Sequence, residues 1–334
     1  MKFIYQRSII SLLFFISLHS CKENKPSEAL QLEGLAFGTT FHITYFDEEQ
    51  RDVSKSMDSL FYLINKSLST YIPNSDISKI NKGDSTIVVD SYFTEVYQKS
   101  LKIYKETHGV FDPTIGVLVN AWGFGPEKSL KQLDSFKIKQ LLGLVGFDKV
   151  RLVNNKIRKE KDSVYFDFNA IAKGYAIDIA GRFLESKHID NYLIEIGGEI
   201  RARGIHKTKN SFWKMGVENP NFDGSRSVKK VIELKNESTA TSGSYRKFKL
   251  DTITGERYAH IIDPKTGYPA KNSLLSVTII GNLDCADADG YATALMAMSL
   301  DNAQVFLEKH KELKAFLIFS DAQGNLQTFT TSNF

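Results

Sequence analysis

Near its carboxyl end the chain reads Cys285-Ala286-Asp287-Ala288-Asp289-Gly290-Tyr291-Ala292-Thr293-Ala294-Leu295, a segment of small and apolar residues with few polar side chains. Asp289 and Thr293 are four residues apart, so on a helix their oxygens face the same side. Such oxygens suit a hard cation like Mg²⁺, which takes few protein ligands and leaves positions for water and phosphate. The alternative is a polar helix N-terminus that Asp287 or Asp289 caps.

The amino terminus has the pattern of a secretory signal. A basic stretch precedes an apolar run from Ile9 to Leu18, which is too short to cross a bilayer. Cys21 follows at the place of the lipobox cysteine that it resembles in bacterial lipoproteins. We therefore predict a signal peptide over residues 1–20, a lipidated Cys21 and a polar tether over residues 21–31. A plain secretory signal with an unmodified Cys21 is the alternative.

Composition excludes some classes of function. Removal of residues 1–20 takes away two basic and no acidic residues from a chain with a formal charge of +4, so nothing indicates nucleic-acid binding. With Cys21 lipidated, Cys285 has no cysteine partner, and the exported protein is expected to fold without disulfides. Residues 32–334 contain neither a repeat nor a linker, which indicates one folded unit large enough to bury a core.

Hydrophobic periodicity predicts mixed helices and strands, and the segments 240–246 and 258–269 are expected to lie between strands. Helices are predicted at 53–68 and 91–107, from Pro113 onward, after 167–170, around Asp289 and at 301–311. Strands are predicted at 32–46, 150–153, 156–158, 163–168, 192–196, 199–202, 213–217, 228–234, 276–280, 315–319 and 327–330. A glycine turn at Gly38-Thr39-Thr40 leads into the first strand, and Asn154-Asn155 forms the turn between 150–153 and 156–158.

Three further places carry candidate chemistry. Trp122 and Phe124 stand among glycines, where a planar ligand has room to stack; core packing is the alternative. Lys173 falls in the first turn of a helix, where it opposes the helix dipole and needs an anion, such as phosphate, or access to solvent. His260 precedes a turn rich in Pro and Gly, and there it is either a structural or a catalytic residue.

Taken in order, seven motifs resemble the ApbE family of FAD:protein FMN transferases over residues 32–334. They are Gly38-Thr39-Thr40, residues 111–125 from Phe-Asp-Pro to Trp-Gly-Phe-Gly, residues 167–178 with Ala172-Lys173-Gly174, Ile196-Gly197-Gly198, Thr241-Ser242-Gly243, residues 260–267 from His-Ile-Ile-Asp-Pro to Thr-Gly, and residues 289–295. The resemblance implies one α+β catalytic unit of mixed or antiparallel sheets with packed helices. It also implies transfer of FMN from FAD to a Ser or Thr hydroxyl of an acceptor flavoprotein, with Mg²⁺ bound and AMP released.

Roles for single residues follow from the same resemblance. It implies that Asp289 and Thr293 bind the metal through side chains and Ala170 through its carbonyl, with Asp289 thereby catalytic. His260 falls near the reacting phosphate, where it is a candidate base for the hydroxyl proton. The positions that match flavin nucleotide contacts are Tyr71, Trp122, Gly123, Phe124, Asp167, Lys173 and His260. Asp287 is left as the helix cap and Cys285 as a packing residue, while Phe37 departs from the methionine that commonly precedes Gly-Thr.

Two other functions fit the same residues. One is a Mg²⁺-dependent FAD pyrophosphatase that gives FMN and AMP, and the other is a lipoprotein that binds FAD without catalysis. A metal site beside a candidate base argues against mere binding. In each case the protein is expected to be exported and held by lipid on the periplasmic side of the inner or outer membrane of the bacterial cell envelope.

Overall fold

The computed structural model describes residues 28–130, 133–221, 223–245, 248–250 and 257–334, and the predicted signal peptide and Cys21 lie outside these ranges. The described helices are α1 Ser54–Leu68, α2 Asp76–Asn81, α3 Ser91–Glu106, α4 Gly116–Ala121, α5 Ser135–Leu142, α6 Ala172–Ser186, α7 Cys285–Met296 and α8 Leu300–Lys309. The described strands are β1 Leu30–Ala36, β2 Thr39–Tyr45, β3 Val150–Val153, β4 Lys156–Lys159, β5 Tyr192–Ile196, β6 Glu199–Arg203, β7 Trp213–Glu218, β8 Val228–Leu234, β9 Ser238–Gly243, β10 Phe248–Leu250, β11 Arg257–Ala259, β12 Leu274–Gly281, β13 Lys314–Ser320 and β14 Leu326–Thr330. Among the described helices, none combines the length and apolar character needed to span a membrane.

Within the described ranges, the largest sheet has eight strands in the order β1-β2-β5-β6-β9-β12-β13-β14, and every neighbouring pair is antiparallel. Alternate residues of β5 are fully and partly buried, because successive side chains of a strand point to opposite faces. The hairpins β3–β4, β7–β8 and β10–β11 form three small sheets beside it. The predicted α+β class with antiparallel sheets and packed helices is confirmed.

Two of the predicted turns have the backbone that a tight hairpin requires. Phe37 and Gly38 join β1 to β2 with φ of 53° and 75°, and Asn154 and Asn155 join β3 to β4 with φ of 50° and 55°. Two consecutive residues with positive φ make a turn whose twist matches the flanking strands. The Phe37 ring packs edge-on against Phe61 of α1, with 5.4 Å between the ring centroids, so this departure from the family pattern is accommodated at the edge of the core.

The helix α7 contacts the strands β9 and β12 of the main sheet as well as the helices α6 and α3. Its buried residues are Cys285, Ala286, Ala288, Asp289, Gly290, Tyr291, Ala292, Ala294, Leu295 and Met296. Small side chains let its neighbours approach closely, as at Gly290, where a Cβ would lie 2.5 Å from Ile103 Cδ1. A buried Asp289 in such a helix is costly unless it is paired or binds a cation.

The predicted strand over residues 163–168 is wrong. Within this segment only Tyr165 forms a β-bridge, with Ile115, among the described residues. The backbone of Phe166 is satisfied instead by the side chain of Asn81, because Phe166 N–H donates to Asn81 Oδ1 at 2.7 Å and Asn81 Nδ2 donates to the Phe166 carbonyl at 2.8 Å. The side-chain amide of Asn81 therefore makes the two hydrogen bonds that the backbone of a neighbouring strand would otherwise make.

Two further boundaries differ from the predictions. The helix expected from Pro113 begins at Gly116, since Asp112 Oδ1 accepts hydrogen bonds from Thr114 N at 2.8 Å and Thr114 Oγ1 at 2.6 Å and holds Pro113 in a turn. The segment 240–246 was expected to lie between strands, but Ser238–Gly243 forms β9 in the main sheet, paired with β6 and β12. Thr239 and Thr241 favour a strand only weakly, because Ser, Ala and Gly separate and follow them and no apolar alternation marks the segment.

Candidate active site

The helices α6 and α7 touch backbone to backbone at Gly174. A Cβ at this position would lie 2.4 Å from the Cys285 carbonyl oxygen and 2.7 Å from Ala286 N, so no larger residue fits without moving a helix. The close approach lets Gly174 N–H donate to Asp289 Oδ2 at 3.2 Å. Two segments more than a hundred residues apart in sequence therefore meet at one point.

Lys173 lies beside this contact and is paired with Glu199, the first residue of β6. Burial lowers the pKa of Lys173, but the negative charges of Glu199 and Asp289 outweigh burial and raise the pKa above its ordinary value. The side chain is consequently a permanent cation at the N-terminus of α6. The anion that the sequence analysis expected for Lys173 is, in this structure, the Glu199 carboxylate.

Asp289 is a buried carboxylate with little local compensation. Burial raises its pKa to about 7, Lys173 acts in the opposite direction, and the charge of Glu199 raises the pKa further. Only 5% of the residue is exposed, so bulk water solvates the charge poorly. Thr293 lies one turn further along α7 and is partly buried, which places its hydroxyl on the same helix face.

The Ala170 carbonyl completes the predicted metal-binding set. It lies in the turn that leads into α6, four residues before Gly174, the usual spacing of a helical hydrogen bond. In the described part of the chain no backbone N–H donates to this carbonyl, because Gly174 N–H is directed to Asp289 instead. No group of three His, Cys, Asp or Glu side chains is arranged for a metal among the described residues. One carboxylate, one hydroxyl and one carbonyl, by contrast, fit Mg²⁺, which keeps much of its water.

The N-terminus of α7 is capped by a residue that the sequence analysis did not consider. Asp178 of α6 accepts hydrogen bonds from Cys285 N at 2.8 Å and Ala286 N at 2.9 Å, and it is paired with Arg201. The prediction that Asp287 is the cap is wrong, because the Asp287 carboxylate is bonded to Lys99 Nζ. Cys285 is buried, in agreement with its assignment to packing.

A second group of predicted residues forms an aromatic cluster. Trp122 Nε1 donates to the Gly267 carbonyl at 2.9 Å, which ties the end of α4 to the loop after β11. The ring centroids of Phe124 and His260 lie 6.3 Å apart, with an edge-on geometry. Gly123 between the two aromatic residues has a φ of 75°, a conformation that glycine adopts without strain. The structure therefore brings Trp122, Gly123, Phe124 and His260 together.

The remaining predicted residues, Tyr71 and Asp167, lie near the turn before α6. Burial raises the pKa of Asp167 to about 6, although its Oδ1 accepts a hydrogen bond from Asn169 N at 2.7 Å. Partial burial and the charge of Asp167 together raise the pKa of Tyr71. Tyr71 lines a cavity of about 580 Å³, whose wall includes Asn120, Ala121 and Tyr165.

This segment connects the groups to one another. Asp167 N–H donates to the Pro113 carbonyl at 2.7 Å, and Tyr165 bridges Ile115 just ahead of α4. The segment that carries Trp122 is thus hydrogen-bonded to the segment that carries Asp167, Ala170 and Lys173.

Sequence reasoning missed Glu199 and Asp178 as members of the site. Glu199 had one local signal, an acidic residue directly after Gly197-Gly198, but strand alternation puts it on the face of Arg201 and Arg203, so its burial does not follow from the pattern. Asp178 had none that distinguishes it from other polar residues of a helix, because its partners lie on α7 and β6.

A buried carboxylate beside a half-buried lysine at a helix N-terminus, together with an aromatic cluster, defines the class: an α+β enzyme suited to a nucleotide substrate. The sequence model of the ApbE family matches residues 37–317, and the chain belongs to that family.

Named relatives and solved structures agree with this membership. The chain is 34% identical to the FAD:protein FMN transferase of Haemophilus influenzae over 95% of its length and 93% of the relative. It is 32% identical to the Vibrio cholerae protein of the same name, over 98% of the chain and 97% of the relative. The solved structure of the flavin transferase ApbE from Vibrio cholerae superposes with a TM-score of 0.83 and 32% identity, covering 92% of this chain and 99% of that one.

Proposed function

We propose that the protein is a Mg²⁺-dependent FAD:protein FMN transferase, which moves FMN from FAD to a Ser or Thr hydroxyl of an acceptor protein and releases AMP. The names of relatives that match nearly the whole chain support transfer of FMN to protein. The observation that carries the proposal is the contact between the α6 N-terminus and Asp289, with Lys173 alongside. A cation and a helix N-terminus form an anion site, and a buried carboxylate next to them suits a cation that accompanies phosphate.

The metal-binding residues of this proposal are Asp289, Thr293 and the Ala170 carbonyl. A bound Mg²⁺ would neutralise phosphate charge and so stabilise the transition state of the transfer. Lys173 supplies a further positive charge from the chain itself, held in place by Glu199.

The remaining residues orient the substrate and move one proton. Trp122 and Phe124 offer ring faces and edges, and Gly123 lets the backbone approach a flavin closely. In the transfer the acceptor hydroxyl oxygen forms a bond to the FMN phosphorus, while the bond from that phosphorus to the bridging oxygen breaks and AMP leaves. We assign the hydroxyl proton to His260, a role typically worth about 10²- to 10⁴-fold in rate. Tyr71 and Asp167 complete the nucleotide contacts.

We further propose that the protein is exported and anchored by lipid on Cys21 to the bacterial cell envelope. The proposal rests on the signal-like sequence before Cys21. It places the acceptor, an exported or membrane-bound flavoprotein, on the same side of the membrane. Expression with Cys21→Ser tests the anchor: the parent is expected in the membrane fraction and the variant in the soluble fraction, and an unchanged distribution would refute it.

The activity is tested with the purified protein, FAD, Mg²⁺ and an acceptor protein fragment that a related FMN transferase modifies. The expected result is an acceptor heavier by the mass of FMN and an equal amount of AMP. Free FMN and AMP with an unmodified acceptor would identify a pyrophosphatase instead. Intact FAD with an unmodified acceptor would identify a binding protein, and in either case the proposed transfer would be rejected.

A further inference from the structure

Glu199 has an unusual environment for a glutamate. It follows the Gly197-Gly198 turn as the first residue of β6, and only 4% of it is exposed. One carboxylate oxygen, Oε1, accepts a hydrogen bond from Lys173 Nζ. The other, Oε2, is buried and accepts none from the described residues. A buried acceptor without a donor is costly, so this oxygen is expected to accept a hydrogen bond from a bound group when the site is filled.

A second buried glutamate shows that the fold can satisfy such a group completely. Glu237 is 7% exposed and also pairs with a lysine, since its Oε1 accepts from Lys314 Nζ at 2.6 Å. Its Oε2 accepts from Lys235 N at 3.2 Å, so both of its oxygens are bonded. The unsatisfied Oε2 of Glu199 is therefore a property of its position and not of buried Glu–Lys pairs in this protein.

The charges around Glu199 are also unbalanced. Lys173 contributes one positive charge, whereas Glu199 and Asp289 contribute two negative charges when both are ionised. The two carboxylates flank the first turn of α6, since Lys173 pairs with Glu199 and the next residue, Gly174, donates its N–H to Asp289 Oδ2. A buried cluster with an excess negative charge and a free acceptor favours a hydrated cation.

We infer that Glu199 is a positioning residue for the metal: its Oε1 holds Lys173, and its Oε2 accepts a hydrogen bond from the hydration shell of the Mg²⁺ that Asp289 binds. This inference rests on the proposed function, because it needs Mg²⁺ at Asp289. Mg²⁺ keeps several waters when proteins bind it through one carboxylate, and those waters need acceptors. Groups that orient the surroundings of a metal in this way typically change its affinity by about 10- to 100-fold.

The test is isothermal titration of MgCl₂ into the full-length protein without FAD, so that binding is measured apart from activity. Glu199→Gln keeps the size of the side chain and removes its charge, and it is expected to weaken Mg²⁺ binding by about 10- to 100-fold. Glu237→Gln is the matched control and should bind Mg²⁺ like the parent. Equal affinity in Glu199→Gln and the parent would overturn the inference.

A double variant separates this role from simple pairing with Lys173. Lys173→Met removes the ammonium. Lys173→Met/Glu199→Gln removes both charges of the ion pair, so no unpaired buried charge remains to destabilise the protein. If Glu199 interacts with the hydrated metal, the double variant binds Mg²⁺ about 10- to 100-fold more weakly than Lys173→Met. Equal affinities for these two proteins would mean that Glu199 acts only through Lys173 and would refute the inference.

The same titrations distinguish failure of the inference from failure of the proposed function. A parent that binds no Mg²⁺, or an Asp289→Ala variant that binds it like the parent, would reject the metal site itself. Loss of binding in Asp289→Ala together with unchanged binding in Glu199→Gln would reject only the role of Glu199.

Discussion

Gly174 N–H and Asp289 Oδ2 are joined by a hydrogen bond of 3.2 Å across the contact between α6 and α7. The bond exists because position 174 lacks a side chain: a Cβ there would overlap the Cys285 carbonyl. It turns the Gly174 N–H away from the Ala170 carbonyl and leaves that oxygen free of the helix. One backbone contact thus fixes the position of the carboxylate and leaves free the carbonyl that we propose as ligands of Mg²⁺.

Gly174→Ala should separate the two helices and lower both stability and Mg²⁺ affinity. The new Cβ meets backbone atoms, the Cys285 carbonyl at 2.4 Å, which cannot rotate away. Overpacking of this kind typically costs about 1 to 3 kcal/mol, measurable by urea unfolding. Gly216→Ala in β7 is the control, since the atoms nearest to its Cβ would belong to the exposed Val228 side chain, at 3.1 Å and beyond. Equal losses in the two variants would contradict the assigned contact.

Asp178→Ala should destabilise the protein more than Asp287→Ala. Asp178 is fully buried and accepts hydrogen bonds from two amides at the α7 N-terminus, and leaving such buried donors unsatisfied costs about 1 to 3 kcal/mol each, while Arg201 keeps Asp284 and Glu185 as partners. Asp287 shares Lys99 with Asp284, which remains in the variant, so we expect a loss of about 1 kcal/mol. Chemical denaturation of both variants measures the difference. A larger loss of stability for Asp287→Ala would instead support Asp287 as the cap of α7, as the sequence suggested.

Local patterns predicted a good part of this fold because they act within a few residues. The amphipathic spacing from Met57 to Leu68 predicted α1, and Asn154-Asn155 predicted a hairpin turn. In contrast, β9 is a strand because β6 and β12 hold it on both sides, and no residue of Ser238–Gly243 reveals those partners. Asn81 likewise bonds Phe166 from 85 residues away and replaces the predicted strand.

The site was predictable only where motif and helix spacing sufficed. Asp289 and Thr293 share a face through their spacing alone, and Lys173 could be identified as a residue in need of an anion. That the anion is Glu199, and that Asp178 caps α7, depends on how α6 crosses α7 and the sheet. Such tertiary contacts leave no periodic signal.

The stability of the parent should fall as the pH rises from about 4 to about 6, in part through Asp112. Burial raises the folded-state pKa of Asp112 from 3.8 to about 6, so in this window the folded protein holds a proton that the unfolded chain has released. Unfolding therefore releases a proton, and stability decreases with pH by up to about 3 kcal/mol. Asp112→Asn cannot titrate and should remove this contribution, which urea unfolding at several pH values measures.

Asp84 provides a matched control for that experiment. Its Oδ1 accepts from Thr86 N and Thr86 Oγ1 at 2.9 and 2.6 Å, the same pattern that Asp112 makes with Thr114. Asp84 is exposed, and hydrogen bonds from the Thr86 side chain and backbone lower its pKa. The pH dependence of its contribution to stability is therefore opposite to that of Asp112. Asp84 stabilises the protein at neutral pH, and this contribution is lost as the pH falls. If Asp84→Asn and Asp112→Asn changed the pH profile alike, burial would not be the cause.

Trp122→Phe should weaken FAD binding by about tenfold, because the shorter ring loses the hydrogen bond to Gly267 and part of the stacking surface. Trp213→Phe is the control: Trp213 Nε1 also donates to a backbone carbonyl, that of Arg203 at 2.9 Å, but in a separate apolar cluster. It should lower stability and leave FAD affinity unchanged, as measured by titration calorimetry. Equal FAD affinity in Trp122→Phe and the parent would exclude Trp122 from the flavin site.

The most direct test of the account is the intact mass of an acceptor protein after incubation with FAD over a series of Mg²⁺ concentrations. For the parent we expect the fraction carrying FMN to rise with Mg²⁺ and to saturate. For Asp289→Ala we expect transfer slower by about 10³-fold, since the variant lacks the buried carboxylate that we propose as a ligand of the metal. Transfer that is independent of Mg²⁺, or equally fast in Asp289→Ala, would contradict the account.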